Sequence, residues 1–188
     1  MRSSLRRLSL GLVVVLALGL AACASQVTRR DSAAAAPVPV RALSSFTVTM
    51  SPSASLQLAD NLKFDPAALQ SMIQRALESK SLIAADGDFV LKVVIDDIRV
   101  RGTFSAVMFG FLAGDDHLNG TATLVGRDGK DLGSFGVNTS WALGGLAGGQ
   151  DSARIGWLYE EFSKQLAEEL AQRDRKSTRL NSSHSLQS

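Results

Sequence analysis

One cysteine in 188 residues excludes a disulfide framework within the chain. Histidine occurs twice, once of these in the last residues, and no Gly-x-Ser-x-Gly elbow is present, so a serine or cysteine triad lacks its parts. Lysine and arginine form no cluster, which removes a nucleic-acid footprint. The Gly-Lys-Ser/Thr of a phosphate loop is missing as well. No apolar run reaches the roughly 20 residues that a membrane-spanning helix needs.

What is present begins with the place of that single cysteine. Arg2, Arg6 and Arg7 precede an apolar run from Leu8 to Leu20, and small Ala21 and Ala22 lead into Cys23. This is the layout of a secretory signal with its cleavage site. Leu20-Ala21-Ala22-Cys23 resembles the lipobox of bacterial lipoproteins, which implies cleavage between Ala22 and Cys23 and diacylglycerol and acyl chains on Cys23. Residues 1–22 are then a signal peptide. Two or three acyl chains hold a protein firmly to a bilayer, at about 0.8 kcal/mol per buried methylene. Ala24, where the inner-membrane retention signal of such lipoproteins has Asp, implies the outer membrane.

At the other end, Asp174 to His184 resembles the in-frame translation of a common sequencing adapter. Residues 174–188 are therefore set apart from the fold and expected to be disordered. Removing the three signal arginines and the tail's Arg175, Lys176, Arg179 and Asp174 from 20 basic and 18 acidic residues leaves 14 and 17. The remaining chain is mildly acidic, and the basic pI of the whole sequence carries no argument about partners.

Residues 23–44, with an alanine run and Ala36-Pro37-Val38-Pro39, read as the lipidated cysteine followed by a flexible tether. Such a tether has an r.m.s. span near 25 Å. Residues 45–173 read as one domain. Phe46, Val48 and Met50 alternate as in a half-buried strand. Asp65-Pro66 is N-cap and first residue of a helix to Ser79, with Leu69, Met72, Ile73, Ala76 and Leu77 on its apolar face. Phe89, Leu91, Val93 and Ile95 alternate in a strand over 88–100, whose register shifts at Asp96-Asp97 as at a bulge. Strands over 118–125 and 132–141 flank a turn at Arg127-Asp128-Gly129-Lys130. A last helix, from about Ser152 to Gln172, carries the stripe Ile155, Leu158, Phe162, Leu166 and Leu170. The order β-α-β-β-β-α predicts an α+β two-layer sandwich, with a mainly antiparallel sheet and two helices.

The lipobox, the tether, this element order, and the glycine-punctuated stretches Arg99-Val100-Arg101-Gly102 and Gly144 to Gly149 together resemble small Gram-negative envelope lipoproteins, in particular the domain-of-unknown-function family 4410. The resemblance implies a periplasm-facing accessory protein. It carries over no catalytic residue.

Two stretches stand out as candidates for function. Phe104 to Gly114 is almost uninterruptedly apolar, with Phe104, Met108, Phe109 and Phe111. It reads either as a buried strand or hairpin, or as an exposed patch of the kind that marks interactions. Gly144, Gly145, Gly148 and Gly149 precede the last helix as a flexible crossover, with Trp141 and Trp157 on either side. Asp115-Asp116-His117 and Asp96-Asp97 offer metal-type ligands, but neighbours on a strand point to opposite faces, so no metal site is expected. No cofactor beyond the lipid on Cys23 is expected.

The expected function is a lipid-anchored, non-enzymatic protein of the outer membrane that faces the periplasm and binds another envelope protein or its own copies, with no nucleic acid. The alternatives are a structural subunit of an envelope secretion or transport complex, and an enzyme acting on cell wall or lipid.

Overall fold

In the computed structural model, residues 23–29, 42–61, 63–102, 109, 114–142 and 150–185 are described, with backbone alone for 23, 24, 29 and 176–185. Five strands, β1 (Cys23–Arg29), β2 (Leu43–Met50), β3 (Phe89–Arg99), β4 (Asp116–Gly126) and β5 (Asp131–Trp141), make one sheet in the order β1-β5-β4-β3-β2. The described helices are α1 (Pro52–Gln57), α2 (Pro66–Ser79) and α3 (Asp151–Ser185). The fold is α+β.

Alternation along the strands decides which face is covered. Leu91, Val93, Ile95 and Ile98 of β3, Leu118, Ala122 and Leu124 of β4, and Phe135 and Val137 of β5 are buried. They meet Leu69, Ile73 and Leu77 of α2 and the stripe Ile155, Leu158, Phe162, Leu166 and Leu170 of α3 in one core. Thr47, Thr49, Lys92 and Asn138 point to the other, open face and are exposed. Gly120 lets α3 approach the sheet, because a Cβ there would lie 2.9 Å from the Val94 carbonyl and 3.0 Å from Phe162 Cζ.

Asp65 caps α2 as expected, its Oδ1 accepting from the backbone N–H of Ala67 and Ala68 at 2.9 and 3.3 Å. The register shift in β3 falls between Ile95 and Asp97. Three expectations are corrected. The sheet is mainly antiparallel as expected but mixed, since β2 pairs with β3 in parallel while the other three pairings are antiparallel. Helices α1 and α2 intervene between β2 and β3 and return the chain to its starting end, which makes the pairing parallel. The order is thus β-β-α-α-β-β-β-α, with α1 additional to the two helices expected.

The second correction concerns the tether. Residues 23–29 form an edge strand paired along its length with β5, from Cys23 opposite Trp141 to Arg29 opposite Phe135. Val27 packs against the core, and Ser25 Oγ donates to Glu161 Oε1 at 2.7 Å. An unpaired β5 would otherwise leave a long row of open N–H and C=O groups. Of the rest of the expected tether, Leu43 and Ser44 belong to β2, and residues 30–41, like residues 1–22, lie outside the described residues.

The third concerns the C-terminus, where helical backbone continues from Gln172 through Ser185. No proline or glycine in 173–185 stops a helix already nucleated by its packed first half.

Candidate functional site

One end of the molecule collects the first residues of β1 and β4, the last of β3 and β5, and the start of α3. Cys23 and Asp116 both pair with Trp141, and Arg99 pairs with His117. The described residues that flank both stretches singled out in the sequence, Arg101 and Gly114, and Trp141 and Asp151, lie at this pole. The apolar run 104–114 lies between Val100-Arg101 and Asp116, and the glycine crossover between Trp141 and Asp151.

Charges hold the pole together from inside. Asp116 is fully buried, and two arginines share its carboxylate. Oδ1 accepts from the Arg101 backbone N–H at 2.6 Å and from its Nε at 3.2 Å, while Oδ2 accepts from Arg101 Nη2 at 3.1 Å and Arg154 Nε at 2.8 Å. Arg101 also donates to the carbonyls of Gly114 at 2.5 Å and Trp141 at 3.1 Å. Arg154 donates to the Arg101 carbonyl and to Asp151 Oδ1, both at 2.8 Å. Lys63, ahead of α2, pairs with the second oxygen of Asp151. Five segments of chain are thereby stapled at one point. In particular, Arg101 and Gly114 clamp the two ends of the apolar run.

Beside this cluster, β3 outruns β2, which stops opposite Ile95. Side chains replace the missing strand, as buried backbone groups require. Gln57 Oε1 accepts from the Ile98 N–H at 2.8 Å, and Asn61 Oδ1 from the Val100 N–H at 2.7 Å. Gln57 Nε2 also donates to Asp97 Oδ1 at 2.5 Å. Partial burial acts to raise the Asp97 carboxyl, but the Gln57 hydrogen bond and the nearby His117 outweigh it and hold the group below its usual value.

His117 Nε2 lies 2.8 Å from Asp97 Oδ2, and Nδ1 lies 3.4 Å from Asp115 Oδ1. The two carboxylates therefore sit on opposite sides of the ring instead of converging. Among the described residues no three His, Cys, Asp or Glu side chains are arranged to hold a metal ion.

An open groove runs between the starts of α2 and α3, lined by Lys63, Asp65, Gln150, Asp151, Ile155 and Tyr159. Its chemistry is engaged internally. The Tyr159 hydroxyl accepts from the Asp65 N–H at 2.7 Å, and burial pushes the phenol up to about 12.

Of the residues proposed for an interaction surface, Phe109 is 57% exposed. Trp141 is half-buried and makes an edge-on contact with Trp157, ring centroids 5.1 Å apart. Phe104, Met108, Phe111, Gly144, Gly145, Gly148 and Gly149 lie outside the described residues, and at Cys23 only the backbone is described.

Sequence reasoning did not single out Arg101, Asp116, Asp151 and Arg154 as a cluster. One signal was legible. Arg154 stands four residues before Leu158, on the same stripe as Phe162, Leu166 and Leu170, and a cation on an apolar stripe calls for a buried partner.

No described helix is long and apolar enough to cross a membrane. A family model described as "Domain of unknown function (DUF4410)" matches residues 19–145. No curated protein matches the chain. Among solved structures, the chain is similar to the PelC dodecamer from Paraburkholderia phytofirmans, with 13% identity and a TM-score of 0.39. A leucine-to-methionine variant of that dodecamer gives 14% identity and a TM-score of 0.38. Each comparison covers 75% of this chain and 97% of the other.

Proposed function

The chain belongs to the DUF4410 family, and we propose that it is a non-enzymatic lipoprotein of the outer membrane, anchored through Cys23 and facing the periplasm, where it binds another envelope protein or its own copies. In this reading residues 1–22 are the signal peptide and a two-layer sandwich presents the binding pole. The observation that carries the reading is Phe109. An aromatic side chain 57% exposed stands within an apolar run whose two ends are clamped by Arg101. Exposed apolar groups on a rigid base favour a partner surface. Enzymatic chemistry is disfavoured because Arg101, Asp116, Asp151 and Arg154 are engaged with one another, and Tyr159 remains neutral far above physiological pH.

The reading as a subunit of a larger envelope assembly draws on the two sheet edges, β1 and β2, since edge strands offer open backbone groups to other chains.

Phe109→Ser tests the binding surface. Unfolding free energy should stay within about 0.5 kcal/mol of the parent, as for surface substitutions, while recovery of a partner or of self-association from native membranes is lost. A variant that unfolds, or one that still recovers the same partners, would remove this surface from consideration.

A further inference from the structure

We propose that the fold rests directly on the bilayer, with the Cys23–Trp141 end of the sheet against the lipid headgroups. The inference rests on the reading of Cys23 as the lipid anchor and adds where the domain then sits. Cys23 is the first residue of β1 and pairs with Trp141, so no free chain separates the anchored residue from the sheet. Paired residues on antiparallel strands have Cα atoms about 5 Å apart. Trp141 pairs on its other side with Asp116, which places Cys23, Trp141 and Asp116 in one row across three strands, about 10 Å in all.

From that row β1 runs away from the anchor, and its seven residues rise about 20 Å. The hairpin at Arg127 to Lys130 therefore marks the end remote from lipid. A flexible tether would have let the domain drift off the surface, whereas a strand hydrogen-bonded from its first residue holds this pole within contact distance. At the Cys23–Trp141 edge of this pole the occupant is the bilayer, because acyl chains on Cys23 enter it beside Trp141. The half-buried Trp141–Trp157 pair has the side-chain chemistry that settles at membrane interfaces.

The chain has two tryptophans, and both belong to this pole, so intrinsic fluorescence reports on one place. The full acylated chain is reconstituted into phosphatidylcholine and phosphatidylglycerol vesicles, with or without phospholipid brominated in its acyl chains. Loss of tryptophan fluorescence in the brominated vesicles is expected. A second variant carries a spacer of about twelve Gly and Ser residues between Ala24 and Ser25, with an r.m.s. reach near 20 Å. It should float with the vesicles and lose the quenching. A parent chain that floats but is not quenched, or a spacer variant quenched as strongly as the parent, would overturn the docking while leaving the anchor in place. A parent chain that takes up no acyl group and does not float would overturn the anchor, and the docking with it.

Discussion

Arg154 and Asp116 meet where neither touches solvent, with Nε 2.8 Å from Oδ2 and both side chains 0% exposed. A guanidinium and a carboxylate removed from water each lose several kcal/mol of hydration, and only mutual contact and further hydrogen bonds offset that loss. Here Arg101 and Asp151 supply those bonds.

Asp116→Ala leaves two buried arginines facing one another without their shared anion. It should lower the unfolding free energy by about 3–5 kcal/mol, read from urea denaturation. Lys63→Ala removes a cation whose side chain is 62% exposed, and should cost less than about 1 kcal/mol. Equal losses in the two variants would mean that Asp116 does not hold the pole together.

Tyr159 is the chain's single tyrosine, so phenolate absorbance titrates one group. Burial raises its pKa to about 12; the hydrogen bond from the Asp65 N–H acts against this, and the nearby Asp65 charge adds to the rise. The folded state therefore favours the neutral phenol. Its contribution to stability is complete below the unfolded value near 10 and is lost as pH rises through about 12. Phenolate should appear near 10 in denaturant and only near 12 in the folded chain. Coincident titrations would show that the hydroxyl is not buried.

Two glycines give opposite outcomes on the same change. Gly120→Ala would push a methyl group against the Val94 carbonyl and Phe162, and should destabilise by about 1–3 kcal/mol as overpacking does. At Gly156, inside α3, a Cβ meets nothing within 4 Å. Gly156→Ala should therefore stabilise by roughly 0.5–1 kcal/mol through reduced chain entropy. Thermal melts of the two variants shifting in the same direction would contradict the packing of α3 on β4.

Much of the interior was legible because its periodicity is local. Leu91, Val93 and Ile95 alternate, Leu158, Phe162, Leu166 and Leu170 recur every four residues, and Asp65-Pro66 announces a helix start; all occupy the places read for them. Ala24 to Arg29 carries Val27 as its one large apolar residue, so β1 has no pattern of its own. Its pairing is written instead in the open edge of β5, far away in sequence. The direction of β2 relative to β3 was hidden for a related reason, since strand alternation says which face is buried and nothing about which neighbour is chosen. At the pole, aromatic and glycine residues drew attention, while the residues that fix its geometry were charges. Arg101 and Asp116 read as surface residues until their partners are known, and only Arg154, on the apolar stripe of α3, signals a buried partner.

The pairing of Cys23 with Trp141 also sets an order of events. A chain is made from its N-terminus, yet β1 finds its partner strand only after Asp131–Trp141 has followed it. Of all the ladders in the sheet, this one closes the longest loop, and contacts of such wide separation form late. The first strand to emerge is thus the last to be locked. Until then its leading residue stands clear of the sheet, and closure of the ladder afterwards seals that end of the strand into the fold.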